Sequence, residues 1–172
     1  MLTHGNIASN VRAGCAVLGV SGTDSCLSLL PLSHIFERMV GHYSMFHQGV
    51  VINYAQSIDT VPRDLADVRP TVVAAVPRLY EKIYAKAVES AVNGSPVSRT
   101  VFFWAKSVGD RWADLTLAGK PIPLGLSLQR AVADRLVFSK LRRRVGGRLR
   151  YFISGGAPLS AEIARFFYAA GL

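Results

Sequence analysis

Three short stretches contain the residues whose types and spacing suit binding or catalysis. They are LPLSHIFERM (30–39), VPRLYEKIY (76–84) and SGGAPLS (154–160). Each follows an apolar run that predicts a β-strand. Ligands of parallel sheets bind beyond the carboxyl ends of the strands. We therefore expect all three stretches to face one rim of a sheet.

The paired glycines Gly155 and Gly156 are the most informative residues of the third stretch. Without side chains they let a flat polar group approach the backbone, and their amides are free to donate hydrogen bonds. Pro158 stiffens the exit. The alternative is an ordinary tight turn between a strand and a helix. If a ring binds here, a side chain at Gly156 should weaken binding and leave the melting temperature nearly unchanged.

The first stretch offers a histidine just past a strand end. His34 can orient a substrate carboxylate or act as a base, or it can be purely structural. Glu37 and Arg38 are expected to form a surface pair. His42 and His47 lie five residues apart, which does not match the i,i+4 spacing of helical metal ligands, so we expect no metal site there.

Basic residues are concentrated in one segment of a chain whose net charge is +9. Residues 138–150 hold six bases and no acid. Such a segment suits an anionic membrane surface or substrate phosphates, or it is a solvated helix end whose arginines face the helix dipole. Aromatic residues do not alternate with the bases, which argues against nucleic acid.

Helix and strand signals alternate along the chain and predict an α/β fold, with a parallel sheet covered by helices on both faces. A mainly helical insertion is expected at about 97–145, before the last strand. The predicted strands are 26–30, 50–55, 71–76 and 148–154, and the predicted helices outside the insertion are 5–18, 34–49, 59–69 and 77–92, with a last one after residue 160. In the helix 34–49, we expect an apolar side that includes Ile35, Phe36, Met39 and Phe46.

Composition limits the setting of the protein. The 172 residues contain no run of 18 apolar residues and no amino-terminal signal-peptide pattern. Cys15 and Cys26 lack the spacing of a redox motif or a disulfide framework, which favours a reducing, cytoplasmic location. Neither end has a polar tail, so we expect a piece of a larger protein.

Four motifs in this order resemble the adenylate-forming (AMP-binding) acyl-CoA synthetase superfamily, closest to the long-chain fatty acid–CoA ligases. They are MLTHGN (1–6), LPLSHIFERM (30–39), RPTVVAAVPRLYEKIY (69–84) and YFISGGAPLS (151–160). The resemblance spans residues 1–172 and implies the central part of the large amino-terminal domain, a partial parallel-sheet sandwich with flanking helices.

The resemblance implies a ligase that uses ATP, Mg²⁺ and coenzyme A. A fatty acid carboxylate attacks the α-phosphate of ATP to give an acyl-adenylate, and the coenzyme A thiol then displaces AMP. Gly155, Gly156, Ala157 and Pro158 would form the shelf for adenine and the acyl group. His34 would lie near the carboxylate and phosphate, and Arg38 would gate the acyl tunnel.

The resemblance also implies what this chain lacks. The phosphate loop expected before MLTHGN, the YGxTE motif and the small carboxyl-terminal domain are absent, so the chain alone is expected to make no acyl-adenylate. Two other functions remain open. One is an adenylating enzyme that loads a carrier protein, and the other is a non-catalytic module that binds through its basic segment.

Overall fold

A parallel four-stranded sheet forms the centre of the protein, which we describe over residues 2–172 in a computed structural model. The strand order is β2-β1-β3-β4, and every neighbouring pair is parallel. The strands are β1 (Ser25–Ser28), β2 (Val51–Tyr54), β3 (Val72–Ala75) and β4 (Tyr151–Ser154). The predicted α/β fold with a parallel sheet is confirmed.

Helices connect the strands, and local signals fix several of their ends. The side chain of Thr3 accepts a hydrogen bond from Asn6 N, and the Asn6 side chain accepts one from Thr3 N, a capping box that starts the first helix. Gly19, in the left-handed conformation, ends that helix. The helices are α1 (His4–Leu18), α2 (Met45–His47), α3 (Val61–Val68), α4 (Pro77–Val92), α5 (Pro96–Leu117), α6 (Leu124–Ala133), α7 (Ser139–Arg144) and α8 (Ala161–Ala170).

The two faces of the sheet are covered by different elements because successive side chains of a strand point to opposite faces. On one face, Cys26 and Val72 pack with Met45 of α2. On the other face, Leu27 and Val73 pack with Leu65 of α3. Burying one such aliphatic side chain contributes about 1.5–3 kcal/mol to folding. Strand β2 departs from the expected coverage of the sheet on both faces, since it is an edge strand and 58% of Val51 is exposed.

The segment 97–145 is helical, as expected, and the largest part of the core lies between its helices and α4 and α8. Phe138 and Phe166 are almost fully buried there, beside Ala105 and Val108 of α5. The chain leaves helical structure between α5 and α6 at KPIP (120–123), where the prolines cannot continue a helix. Within residues 2–172, no helix is both long and apolar enough to cross a lipid bilayer.

The helix predicted at 34–49 is present, but its expected apolar side is wrong. Residues Glu37–Ser44 form a π-helical segment that continues into α2. Its buried face holds Glu37, Gly41 and Ser44, whereas 74% of Phe46 is exposed. A π-helical turn is wider than an α-helical one, so the 3.6-residue period used for the prediction does not apply. The expected surface pair of Glu37 with Arg38 is also wrong, because Glu37 is fully buried.

Candidate active site at the carboxyl rim of the sheet

The carboxyl ends of β1, β3 and β4 lie side by side, as parallel pairing requires. Ala75, the last residue of β3, pairs with Ser154, the last residue of β4. The residues that follow β1 are Leu29–Phe36, which we call the rim loop, and those that follow β4 are Gly155–Pro158, which we call the glycine turn. The three stretches singled out in the sequence therefore do start at one edge.

Two hydrogen bonds attach the glycine turn to the neighbouring strand and helix. The amide of Gly155 donates to the carbonyl of Ala75 at 3.2 Å. The hydroxyl of Tyr80, on the first turn of α4, donates to the carbonyl of Ile153 at 2.7 Å. Tyr80 is almost fully buried, and burial raises the pKa of its phenol. Tyr80 is therefore a neutral donor that fixes the end of β4.

The ring that lies against Gly155 belongs to the protein itself. A Cβ added at Gly155 would overlap the ring of Phe36, the last residue of the rim loop. The ring of Phe36 occupies the space that a side chain at Gly155 would take, and the contact of a flat ligand ring with this turn stays a prediction. This contact joins the rim loop to the glycine turn. The sequence placed Phe36 on an apolar helix side but did not predict this contact, because Gly155 is more than 100 residues away in sequence.

Gly156 has a different requirement from Gly155. Its φ is +82°, a left-handed backbone conformation that residues other than glycine rarely adopt. A Cβ at Gly156 would meet only Val76 Cγ1, at 3.6 Å, an ordinary contact. The second glycine is thus required by the backbone rather than by a close neighbour.

The rest of the glycine turn is open to a ligand. The amides of Gly156 and Ala157 have no acceptor among the residues that the structure describes. Both residues and Pro158 are exposed. Ser160 occupies the N-cap position of α8, although its side chain makes no capping hydrogen bond. Two adjacent free amides offer donors to a carbonyl, a ring nitrogen or a phosphate oxygen.

His34 is exposed on the rim loop, and its geometry determines which ring nitrogen carries the proton in the neutral form. The amide of Phe36 donates to His34 Nδ1 at 3.2 Å. Since Nδ1 accepts, a neutral imidazole carries its proton on Nε2. His34 therefore presents an N–H donor, which suits orienting a carboxylate or phosphate oxygen better than removing a proton.

Arg38 turns back onto the rim loop. Its Nε donates to the carbonyl of Leu32 at 2.9 Å, and its backbone amide donates to the carbonyl of His34 at 3.1 Å. The side chain is exposed. The arginine thus braces the loop that holds His34, and its gating role stays a prediction.

The basic segment 138–150 is partly used inside the fold. Arg142 forms an ion pair with Asp134 at 2.7 Å and donates to the carbonyl of Ala170 at the end of α8. The hydrogen bond from Arg142 holds the pKa of the Asp134 carboxyl below its usual value. The interpretation in which arginines face a helix carboxyl terminus therefore holds for Arg142. The helix end that it contacts is that of α8 rather than that of its own helix, α7. Exposed bases remain at Lys140, Arg143, Arg144 and Arg148.

A second polar network lies at the opposite edge of the sheet. The carboxylate of Asp24 is buried and accepts from Thr71 Oγ1 at 2.7 Å, Ser21 N at 2.9 Å and Arg150 Nη2 at 2.8 Å. Burial by itself raises the pKa of Asp24, but the hydrogen bonds of Thr71 and Ser21 and the charge of Arg150 outweigh it and hold that pKa below 3.8. This network fastens β1, β3 and β4 together at their amino ends.

An apolar cavity of about 160 Å³ lies between α3, α4 and α7. Val61, Leu65 and Leu79 line it, together with Lys82 and other residues. The same three apolar residues pack in the core cluster that includes Leu29 of the rim loop. Engineered apolar cavities of about this size hold one six-carbon ring.

The fold of this chain is similar to parts of two solved structures. The chain matches a malonyl-CoA ligase in complex with methylmalonyl-CoA and AMP at a TM-score of 0.53 and 18% identity, over 96% of this chain and 26% of that one. It matches the A domain of the carboxylic acid reductase from Segniliparus rugosus at a TM-score of 0.55 and 19% identity, over 99% of this chain and 23% of that one.

Residues 1–172 match the AMP-binding enzyme family, and the chain belongs to that family. It is 38% identical to the Mycobacterium tuberculosis protein fadD11, named as a fatty-acid–CoA ligase, over 99% of this chain and 30% of that protein. It is 38% identical to the long-chain-fatty-acid–CoA ligase FadD15 of the same species, over 85% of this chain and 24% of that protein. It is 34% identical to the peroxisomal long chain acyl-CoA synthetase 6 of Arabidopsis thaliana, over 96% of this chain and 22% of that protein. The chain thus spans less than a third of the length of these relatives.

Proposed function

We propose that this chain forms part of the acyl-adenylate site of a long-chain fatty acid–CoA ligase. In the first step, a carboxylate oxygen attacks the α-phosphorus of ATP, the bond to the bridging oxygen breaks, and pyrophosphate leaves. In the second step, the sulfur of coenzyme A, after losing its proton, attacks the acyl carbonyl and AMP leaves. The helices at about 97–145 are then an insertion in the domain that contains this site.

The contact between Phe36 and Gly155 is the observation that supports this proposal most. It brings the histidine of the rim loop and the free amides of the glycine turn to one exposed rim. Gly155, Gly156, Ala157 and Pro158 would support adenine and the acyl group, with the amides of Gly156 and Ala157 as donors. His34 would donate from Nε2 to a carboxylate or phosphate oxygen. Fixed donors of this kind stabilise developing negative charge without reorganisation.

The apolar cavity between α3, α4 and α7 supports an aliphatic substrate. At about 160 Å³ it has room for a short part of an acyl chain. Arg38 would lie at the entrance to the acyl tunnel. In a full-length enzyme that contains this chain, we expect Arg38→Ala to change chain-length preference more than ATP affinity, measured as ATP–pyrophosphate exchange with acids of 8 to 18 carbons. A change confined to the Michaelis constant for ATP would contradict this role.

Mg²⁺ is the metal ion that the proposed reaction uses. Among residues 2–172, no three His, Cys, Asp or Glu side chains are grouped so that they could hold a metal ion. We propose that Mg²⁺ enters with ATP, and no side chain among residues 2–172 is assigned to it.

Ligand binding tests the proposal directly. We would titrate the chain with a non-hydrolysable palmitoyl-adenylate analogue by calorimetry, with adenosine and palmitate alone as controls. The analogue should bind more tightly than either half, and His34→Ala should weaken its binding about tenfold, the effect of losing one hydrogen bond to a charged group. Equal affinities for the analogue and for palmitate alone would refute a site that also recognises the nucleotide.

We also propose that the exposed bases of the segment 138–150 contact anionic membrane surfaces from the cytoplasmic side. Lys140, Arg143, Arg144 and Arg148 are available for this, and each base near such a surface contributes about 1 kcal/mol. Sedimentation with phosphatidylserine vesicles should exceed that with phosphatidylcholine vesicles, and Arg143→Glu with Arg148→Glu should remove the difference. Equal binding to both kinds of vesicle would contradict the proposal.

A further inference from the structure

Glu37 is a fully buried carboxyl group for which the proposed reaction has no use. Its exposed fraction is 0%, and it lies on the inner face of the π-helical segment. Burying such a group is costly unless hydrogen bonds compensate. Burial raises the pKa of Glu37, and its hydrogen bonds oppose that shift only in part. A residue retained at this cost needs a specific partner.

The partners of Glu37 lie at the end of β1. Its Oε1 accepts from the hydroxyl of Ser28 at 2.6 Å, and the nearby backbone amide of Leu29 lowers the pKa of the carboxyl group. Its Oε2 has no partner. The hydrogen bond that joins the Glu37 side chain to another element thus comes from the last residue of β1.

Gly41 makes the space for this arrangement. A Cβ at position 41 would overlap the carboxyl group of Glu37. The side chain therefore folds back across its own helix, over a residue four positions later that has no side chain. Glu37 and Gly41 form one unit, and a methyl group at Gly41 would displace the carboxyl group without changing Glu37 itself.

Ser28 and Glu37, which are joined by the hydrogen bond, flank the rim loop. Ser28 precedes the loop and Glu37 follows it, and the eight residues between them include His34 and Phe36. We propose that Glu37 is a positioning residue that joins the two ends of the rim loop and thereby holds His34 and Phe36 against the glycine turn. The consequence for ligand binding rests on the function proposed above, whereas the joining of the loop ends does not.

Residue-level amide hydrogen exchange tests the joining of the loop ends. The amides of His34 and Phe36 are bonded within the loop, to Pro31 O and His34 Nδ1. Glu37→Ala should raise their exchange rates at least tenfold and leave those of Val73 and Ala74 in β3 unchanged. Glu37→Gln keeps the acceptor oxygen for Ser28 and should raise them less than threefold.

Two further variants keep the test decisive if Glu37→Ala does not fold. Ser28→Ala removes one hydroxyl, and Gly41→Ala displaces the carboxyl group, and each should raise exchange in the rim loop. The positioning role is overturned if the loop amides of a folded Glu37→Ala variant exchange at the wild-type rate. If Glu37→Ala does not fold, the same result in Ser28→Ala overturns it. It is also overturned if exchange rises equally in β3, because Glu37 would then support only the fold.

A ligand measurement connects the loop to the site. Glu37→Ala and Ser28→Ala should each weaken binding of the palmitoyl-adenylate analogue about tenfold, since small misplacements of positioning groups have effects of that order or larger. Glu37→Gln should restore affinity to within threefold of the wild type. If the wild-type chain does not bind the analogue, the proposed function fails, and the exchange rates still decide the positioning role. Unchanged affinity in both alanine variants of a binding-competent chain would overturn that role.

Discussion

Replacing Gly156 with alanine separates the two uses of the glycine turn. The φ of +82° places an L-residue in the left-handed region, which costs about 1–2 kcal/mol. The added Cβ would meet Val76 Cγ1 at an ordinary 3.6 Å, so backbone strain is the whole effect. For a domain of this size, 1 kcal/mol lowers the melting temperature by about 2–4 °C. We therefore expect a fall of about 2–8 °C.

Gly119 provides a matched control for that strain. Its φ is +63°, and nothing lies within 4 Å of a Cβ placed there. It lies between α5 and α6, outside the rim loop and the glycine turn. Gly119→Ala should lower the melting temperature about as much as Gly156→Ala, and the affinity for the palmitoyl-adenylate analogue should stay unchanged.

The assay combines thermal unfolding followed by circular dichroism with titration of the analogue. Gly156→Ala should lower both the melting temperature and the affinity, because the strained turn also holds the free amides. An unchanged melting temperature would refute the strain argument. An affinity equal to that of Gly119→Ala would show that the second glycine serves only the turn. The structure thereby replaces the expectation from sequence, in which affinity falls and stability does not.

Three further predictions concern Gly155, Asp24 and Gly125. Gly155→Ala should destabilise the protein by about 1–3 kcal/mol through overlap with Phe36, and Phe36→Ala in the same chain should relieve part of that loss, as measured by urea unfolding; no relief would contradict the contact. Asp24→Asn should cost about 1–3 kcal/mol at pH 7. Because the folded-state pKa of Asp24 is depressed, the wild-type advantage is present above pH 3.8 and should shrink as the pH falls below that value; a gap independent of pH would contradict this. Gly125→Ala, at an exposed site in α6 with open space around it, should raise the free energy of unfolding by up to about 1 kcal/mol, and a loss would be unexpected.

Features set by neighbouring residues were predictable from the sequence. Thr3 and Gly19 mark the ends of α1, and Pro77 marks the start of α4, because capping and proline geometry act within a few residues. The three strand ends of the candidate site could be aligned at one rim because parallel strands leave no other arrangement. The location of the candidate site therefore followed from the parallel direction of the strands.

Features set by distant contacts were not predictable. Glu37 looked like a surface residue because its neighbour Arg38 is charged, whereas its burial depends on Ser28 and on the π-helical geometry. The glycine four residues after an acid, at Gly41, was the one local signal for this arrangement. Phe36 has an apolar side chain like many others, and only the fold shows that its ring lies on Gly155.

The sheet has two edge strands, and these affect how the chain behaves in solution. Strands β2 and β4 are the outer strands, and β2 exposes Val51 and Tyr54. An outer strand with exposed apolar side chains can template the addition of a strand from another molecule. The net charge of +9 makes the molecules repel one another, which opposes such self-association. In 0.1 M salt this repulsion is largely screened at distances beyond about 10 Å. Buffers of low ionic strength should therefore keep the chain monodisperse, and concentrated salt should favour its self-association through the edge strands.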